Sequence, residues 1–174
     1  VKAPQVEALA QVKEATSAPA GTLISIKSPL AGQVQDLSQS PDPVFAQGVM
    51  GQGLVIEPSQ GELFAPVEGT VSVLFPTKHA IGLVTEQGLE MLIHIGMDTV
   101  NLEGQGFTAH VQQGDHVKQG QKLISFDMDA IKKAGYSVTT PVIVTNQNDF
   151  QTDIKGNLPR EVKLGDEILV ASKL

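Results

Sequence analysis

Of the four histidines in this sequence, His79 and His94 stand at the outer ends of two aliphatic runs separated by Glu86-Gln87-Gly88. The stretch reads as a β-hairpin, with Ala80-Ile81-Gly82-Leu83-Val84-Thr85 as one arm and Leu89-Glu90-Met91-Leu92-Ile93 as the other. If the loop is residues 86 and 87 alone, Thr85 faces Gly88. Counting outward then sets His79 opposite His94, with Cβ atoms about 4.5 to 5.5 Å apart. If Gly88 instead forms a bulge in a three-residue loop, the register moves by one. Plain alternation then puts the rings on opposite faces, unless a second irregularity restores them. Spacing leaves both registers open.

The second arm is apolar on both faces, with Met91, Ile93 and Ile95 on one side and Leu92 beside His94 on the other. His94 is therefore expected in a dry rim. Desolvation there favours the neutral, nucleophilic imidazole, and a second imidazole nearby disfavours a shared double positive charge. One neutral ring nitrogen can attack phosphorus in line, while the other needs an acceptor to fix the tautomer, for which a backbone carbonyl near Gly96 is the candidate. His79 can donate to oxygens that gain charge during transfer, and Thr77, two residues earlier, is placed to orient it. His110 and His116 fall in the polar, Gly-containing segment 109–118 with no titratable partner at a telling spacing, and read as surface residues. On local sequence Asp42, between Pro41 and Pro43, reads as a turn residue. Asp98 reads either as a turn or capping residue or as a docking carboxylate.

The surroundings must supply strands to hold such a pair. From Thr22 onward, β-branched runs alternate with Gly and Pro every eight to twelve residues, which predicts an all-β domain over residues 22–174, a sandwich or a barrel, with little helix. An internal echo, Ser28-Pro29-Leu30-Ala31-Gly32-Gln33-Val34 against Ala65-Pro66-Val67-Glu68-Gly69-Thr70-Val71, predicts two similar halves. A second echo pairs Val111-Gln112-Gln113-Gly114-Asp115 with Val162-Lys163-Leu164-Gly165-Asp166. One brief helix is expected, capped by Asp127 or Asp129, running through Ala130-Ile131-Lys132-Lys133 and stopping at a left-handed Gly135. Residues 1–21, rich in Ala, Pro and Gln, read as a linker, with at most a weak Ala-rich helical turn between Val6 and Thr16.

Composition narrows the function classes. No cysteine is present, which removes disulfides, thiolate metal sites and cysteine nucleophiles. Twelve Lys and Arg against nineteen Asp and Glu give a formal charge of −7, so nucleic acid would be repelled and a partner with a basic face is favoured. No apolar run approaches the roughly 20 residues of a membrane span, and the first residues lack the pattern of a signal peptide.

Six ordered segments resemble the glucose-type IIA domains of the bacterial phosphoenolpyruvate-dependent sugar phosphotransferase system. They are Ser28-Pro29-Leu30-Ala31-Gly32, Asp42-Pro43-Val44-Phe45-Ala46, Gly51-Gln52-Gly53, Ala65-Pro66-Val67-Glu68-Gly69-Thr70, Thr77-Lys78-His79-Ala80, and the most specific, Leu92-Ile93-His94-Ile95-Gly96-Met97-Asp98-Thr99-Val100-Asn101-Leu102. The likeness runs from about Ile24 to the C-terminus. It implies a duplicated antiparallel sandwich and a phosphotransferase component with a phosphohistidine intermediate. His94 would accept a phosphoryl group from the histidine-containing carrier protein HPr and pass it to a IIB domain, with His79 stabilising it and Thr77 supporting His79. The family's apolar docking face maps to Val44, Phe45, Val49, Met50, Phe75 and Leu92, and its two partner-facing carboxylates to Asp42 and Asp98. Met50 and Leu92 depart from the smaller or aromatic residues of some relatives. The resemblance also implies a cytoplasmic location, no resident cofactor, and zinc only where a partner adds a carboxylate to the histidine pair. The Ala/Pro-rich start favours a domain fused to a membrane IIC permease, which would tether it to the inner face of the membrane.

Two rivals are weaker. A lysostaphin-type zinc peptidase would use an element like His94 to Asp98, but it needs a His-x-His strand that this chain lacks. A biotinyl or lipoyl carrier would share the rhythm of residues 114–123, but it needs a modifiable lysine at a hairpin tip, and no Met-Lys-Met or Asp-Lys-Ala is present.

Overall fold

The computed structural model describes residues 19–174, so the helical turn expected between Val6 and Thr16 lies outside the described residues. The strands are β1 (Leu23–Lys27), β2 (Gly32–Asp36), β3 (Gln52–Pro58), β4 (Glu62–Phe64), β5 (Gly69–Leu74), β6 (Ala80–Val84) and β7 (Glu90–His94). They continue as β8 (Phe107–Ala109), β9 (His116–Val117), β10 (Lys122–Phe126), β11 (Thr140–Val144), β12 (Phe150–Ile154), β13 (Arg160–Val162) and β14 (Glu167–Lys173). They form one eight-stranded sheet, β13-β2-β3-β11-β7-β6-β5-β9, and two three-stranded sheets, β1-β14-β12 and β4-β10-β8. Every pairing among the described residues is antiparallel, as the family resemblance implied.

The sheet orders read as a palindrome about the β11–β7 boundary. β2, β3 and β11 on one side match β5, β6 and β7 on the other, with β13 matching β9, while β1-β14-β12 matches β4-β10-β8. The two halves expected from the first echo are therefore present, and the second half is inserted in the first between β3 and β11. The echoed glycines do equivalent work. A Cβ on Gly32 would lie 2.0 Å from the Glu57 carbonyl oxygen, and one on Gly69 would lie 2.4 Å from that of Val84. Only glycine lets the incoming backbone approach its neighbour strand so closely.

The second echo needs a correction. Both turns form, with Gln112 N–H on Asp115 Oδ2 and Lys163 N–H on Asp166 Oδ2, each at 2.8 Å. By position in the fold, however, the counterpart of the 162–166 turn is the turn at 117–121. Gly165 and Asp166 exchange backbone bonds with Ser28, and Gly120 and Gln121 exchange them with Ala65, the matching residue of the first echo. Val117-Lys118-Gln119-Gly120-Gln121 carries the same Val-Lys-x-Gly pattern in sequence.

The expected helix is α2 (Met128–Lys133), with Asp127 accepting from Ala130 N–H at 3.0 Å and Gly135 left-handed at φ +92°. A helix that was not expected, α1 (Pro43–Ala46), starts with Asp42 accepting from the Val44 N–H and proline in the first turn, the arrangement that helix N-termini favour. The main core holds Ile26, Leu54, Ile81, Ile93, Ile95 and Leu123, all shut off from solvent. A separate cluster of Leu37, Phe45, Val55, Met97 and Ile143, with Leu92 against it, lies beneath α1. That second cluster fixes Phe45 beside the histidine pair. No helix among the described residues is long and apolar enough to cross a membrane.

Candidate functional site

The β6–β7 hairpin takes the three-residue loop. Thr85 and Leu89 pair, Gly88 donates to the Thr85 carbonyl at 3.0 Å with φ +90°, and the Leu89 N–H reaches Thr85 Oγ1 at 3.1 Å. The register that follows sets Ala80, not His79, against His94. Plain alternation would then separate the rings. The restoring irregularity sits at the other end of β6, where residues 75–80 form a turn closed by Phe75 N–H on the Ala80 carbonyl, with Lys78 left-handed at φ +62°. His79 is the last residue of this turn and not part of the strand, so its side chain is released from alternation. Its backbone still joins the ladder, accepting from Ile95 N–H at 2.7 Å.

The result is two imidazoles with ring centroids 4.9 Å apart and planes crossed at 79°. Phe45 packs against His94 and Phe75 against His79, each with centroids 5.3 Å away. His79 is almost entirely buried, at 2% exposure, and His94 is half-buried. The β7–β11 pairing ends at Ile93 and Val142. One step further the partners would be His94 and Pro141, and proline has no N–H to contribute, so His94 leaves the sheet on that side.

Both rings are oriented through Nδ1. His94 Nδ1 lies 2.7 Å from the Gly96 carbonyl, which can only accept, so Nδ1 carries the proton and Nε2 keeps a free lone pair. Thr77 Oγ1 lies 2.6 Å from His79 Nδ1. Burial pushes the His79 pKa down to about 4, with the neighbouring His94 adding to the effect. Burial also lowers His94, opposed by the bond to Gly96 and by the negative charges of Asp42 and Asp98. Near neutral pH the pair is uncharged, as a nucleophilic imidazole requires.

The two carboxylates stand in different local roles. Asp42 caps α1 through its side chain, whereas Asp98, left-handed at φ +59° before the 3-10 turn Thr99–Leu102, makes no side-chain capping bond. Both are close enough for His94 to feel their charge. Leu92 borders the same site on β7. Val44, Val49 and Met50 lie on and just after α1 with their side chains open to solvent, at 47%, 68% and 40% exposure. His110 and His116 are surface residues, bonded to Ser125 and Glu68. Sequence reasoning missed Ser137, whose carbonyl anchors the backbone after Gly96, because nothing at its own position signals a tie to a strand so far away in the chain.

Residues 24–150 match the family model of the phosphoenolpyruvate-dependent sugar phosphotransferase system, EIIA 1. The β-glucoside-specific EIIBCA component of that system from Bacillus subtilis (strain 168) is 57% identical over 125 residues, covering 72% of this chain. This chain spans only 20% of that relative's length. Among solved structures, glucose permease IIA from Mycoplasma capricolum superposes with a TM-score of 0.80 at 36% identity, over 86% of this chain and 96% of that one. The family match disfavours the zinc-peptidase reading. The chain belongs to the EIIA 1 family of the phosphoenolpyruvate-dependent sugar phosphotransferase system, and is a phosphoryl-carrier component of that system.

Proposed function

We propose that His94 Nε2 is the phosphoryl acceptor, that HPr is the donor and that a IIB domain is the recipient. The observation that carries this reading is the 2.7 Å bond from His94 Nδ1 to the Gly96 carbonyl, which leaves Nε2 unprotonated beside a second neutral imidazole. The lone pair of Nε2 attacks phosphorus. The P–N bond to the donor ring breaks as the P–Nε2 bond forms, and its electron pair returns to the donor. His79, with Nδ1 accepting from the Thr77 hydroxyl, presents Nε2–H to the phosphoryl oxygens, where charge is spread during transfer. The positive charge that His94 gains is met by the Gly96 carbonyl and by Asp42 and Asp98. No resident cofactor takes part, because the group is held covalently.

Docking is assigned to the apolar surface of Val44, Val49, Met50, Phe75 and Leu92, backed from beneath by Phe45, which is itself buried at 6% exposure, with Asp42 and Asp98 facing a basic residue of the partner. Solvent-open Val44, Val49 and Met50 beside two carboxylates, on a chain of net charge −7, support a partner with apolar contacts and a positive rim. The domain acts on the cytoplasmic side as the IIA part of a longer sugar permease, a reading supported by the fused EIIBCA relative. The transported sugar is selected by the permease part. The acceptor assignment is tested by ³¹P and ¹⁵N NMR of the phosphorylated domain: coupling of phosphorus to Nε2 of His94 is expected, and coupling to Nδ1 or to another histidine would overturn it. Recovery of the natural chain in the soluble fraction, without a membrane-bound portion, would overturn the fusion.

A further inference from the structure

The hydrogen bond that fixes His94 is one end of a chain that crosses the sheet. The Gly96 carbonyl accepting from His94 and the Met97 N–H belong to the same peptide group, and that N–H donates to the Ser137 carbonyl at 3.1 Å. The C=O and N–H of a trans peptide point in opposite directions, so anchoring the N–H on Ser137 aims the carbonyl at the imidazole. The backbone is gripped closely at this point. A Cβ on Gly96 would lie 2.5 Å from the Ser137 carbonyl oxygen and 2.7 Å from Thr99 Cγ2, and the Thr99 hydroxyl is itself tied to the Ile95 carbonyl at 2.5 Å.

Ser137 is held in turn. Its hydroxyl donates to Thr139 Oγ1 at 2.9 Å and accepts from Thr139 N–H at 3.1 Å, while the Thr139 hydroxyl donates to Glu57 on β3. The Thr140 hydroxyl closes the same turn on the Val138 carbonyl at 2.8 Å. Thr139 is 4% exposed and touches neither histidine, so the proposed chemistry does not use it directly. We infer that Thr139, anchored by Glu57 and acting through Ser137, is a positioning residue that sets the Gly96–Met97 peptide and thereby the Nδ1–H tautomer of His94. This rests on the reading of His94 as the acceptor. The two bonds that share the Gly96–Met97 peptide polarise each other, so a well-set Met97 N–H also raises the basicity of the attacking nitrogen.

The test compares wild type, Thr139→Val and Thr139→Ser by two-bond ¹⁵N–¹H spectra of histidine-labelled protein at neutral pH and by single-turnover acceptance from phospho-HPr. Wild-type His94 is expected as the pure Nδ1–H form. Thr139→Val should mix in the Nε2–H form and slow acceptance on the order of tenfold, with donor half-saturation unchanged, as for removal of a partner behind a ligating histidine. Thr139→Ser should restore both. A Thr139→Val protein with the wild-type spectrum and rate, or a serine variant that restores neither, would overturn the inference. If the valine variant does not fold, Glu57→Ala must show the same tautomer mixing, and an unchanged spectrum there overturns it equally. Failure of the wild type to accept phosphate at all would instead remove the acceptor assignment, leaving the tautomer result to stand on its own spectra.

Discussion

His79 should make folding stability depend on pH in a defined window. Its imidazole is 2% exposed, and burial with the adjacent His94 pushes its pKa from 6.5 to about 4. Between those values the unfolded chain binds a proton that the folded chain refuses, so stability rises with pH there. The contribution is fully present above pH 6.5, and it is lost as the pH falls toward 4. At about pH 4.5 the cost relative to about pH 7.5 is roughly 2–3 kcal/mol, from about 1.4 kcal/mol per pH unit of displaced titration. Against a typical domain stability of about 5–15 kcal/mol, that is a large fraction. Urea unfolding of wild type and His79→Gln at the two pH values reads it out. His79→Gln should lose less stability on acidification than wild type by roughly 2–3 kcal/mol. Part of the dependence should persist in the variant, because His94 is lowered in the same direction. Equal losses in the two proteins would refute the claim that His79 is buried neutral.

Further predictions follow from the same site. Gly96→Ala should cost about 2–5 kcal/mol, from the left-handed backbone and the close Ser137 and Thr99 contacts, whereas Gly88→Ala, equally left-handed but with nothing within 4 Å, should cost only about 1–2 kcal/mol by denaturation. Thr77→Val removes the hydroxyl bonded to His79 Nδ1, and is expected to cost about 1 kcal/mol of stability and to slow onward transfer more than acceptance. Asp98→Asn should slow association with phospho-HPr and flatten its dependence on salt, measured by stopped flow, with stability unchanged because its side chain makes no capping bond.

The legible parts of this molecule were those whose causes are local. Asp127 and Gly135 bracket α2 because a side-chain cap and a left-handed stop act within a few residues, and the repeated Ser28-Pro29 and Ala65-Pro66 segments announced the duplication. The helix at Pro43–Ala46 was legible in principle, since Asp42-Pro43 is a cap followed by a first-turn proline, but four residues show no periodicity. The histidine pairing was half legible. The three-residue loop at Gly88 shifts the register, and only the left-handed Lys78, which no local residue preference demands, brings His79 back beside His94. The Ser137 anchor was not legible, because a backbone carbonyl carries no sequence signature. The turns at 117–121 and 111–115 both carry Gly at the same place after a Val, so sequence does not separate them, and only the contacts with Ser28 and Ala65 distinguish them.

The most direct test of the account is intact-protein mass spectrometry at mildly alkaline pH after incubation with phosphoenolpyruvate, the first enzyme of the system and HPr. The account predicts one acid-labile phosphoryl group on wild type and none on His94→Ala. A His94→Ala protein that still gains the group would contradict it.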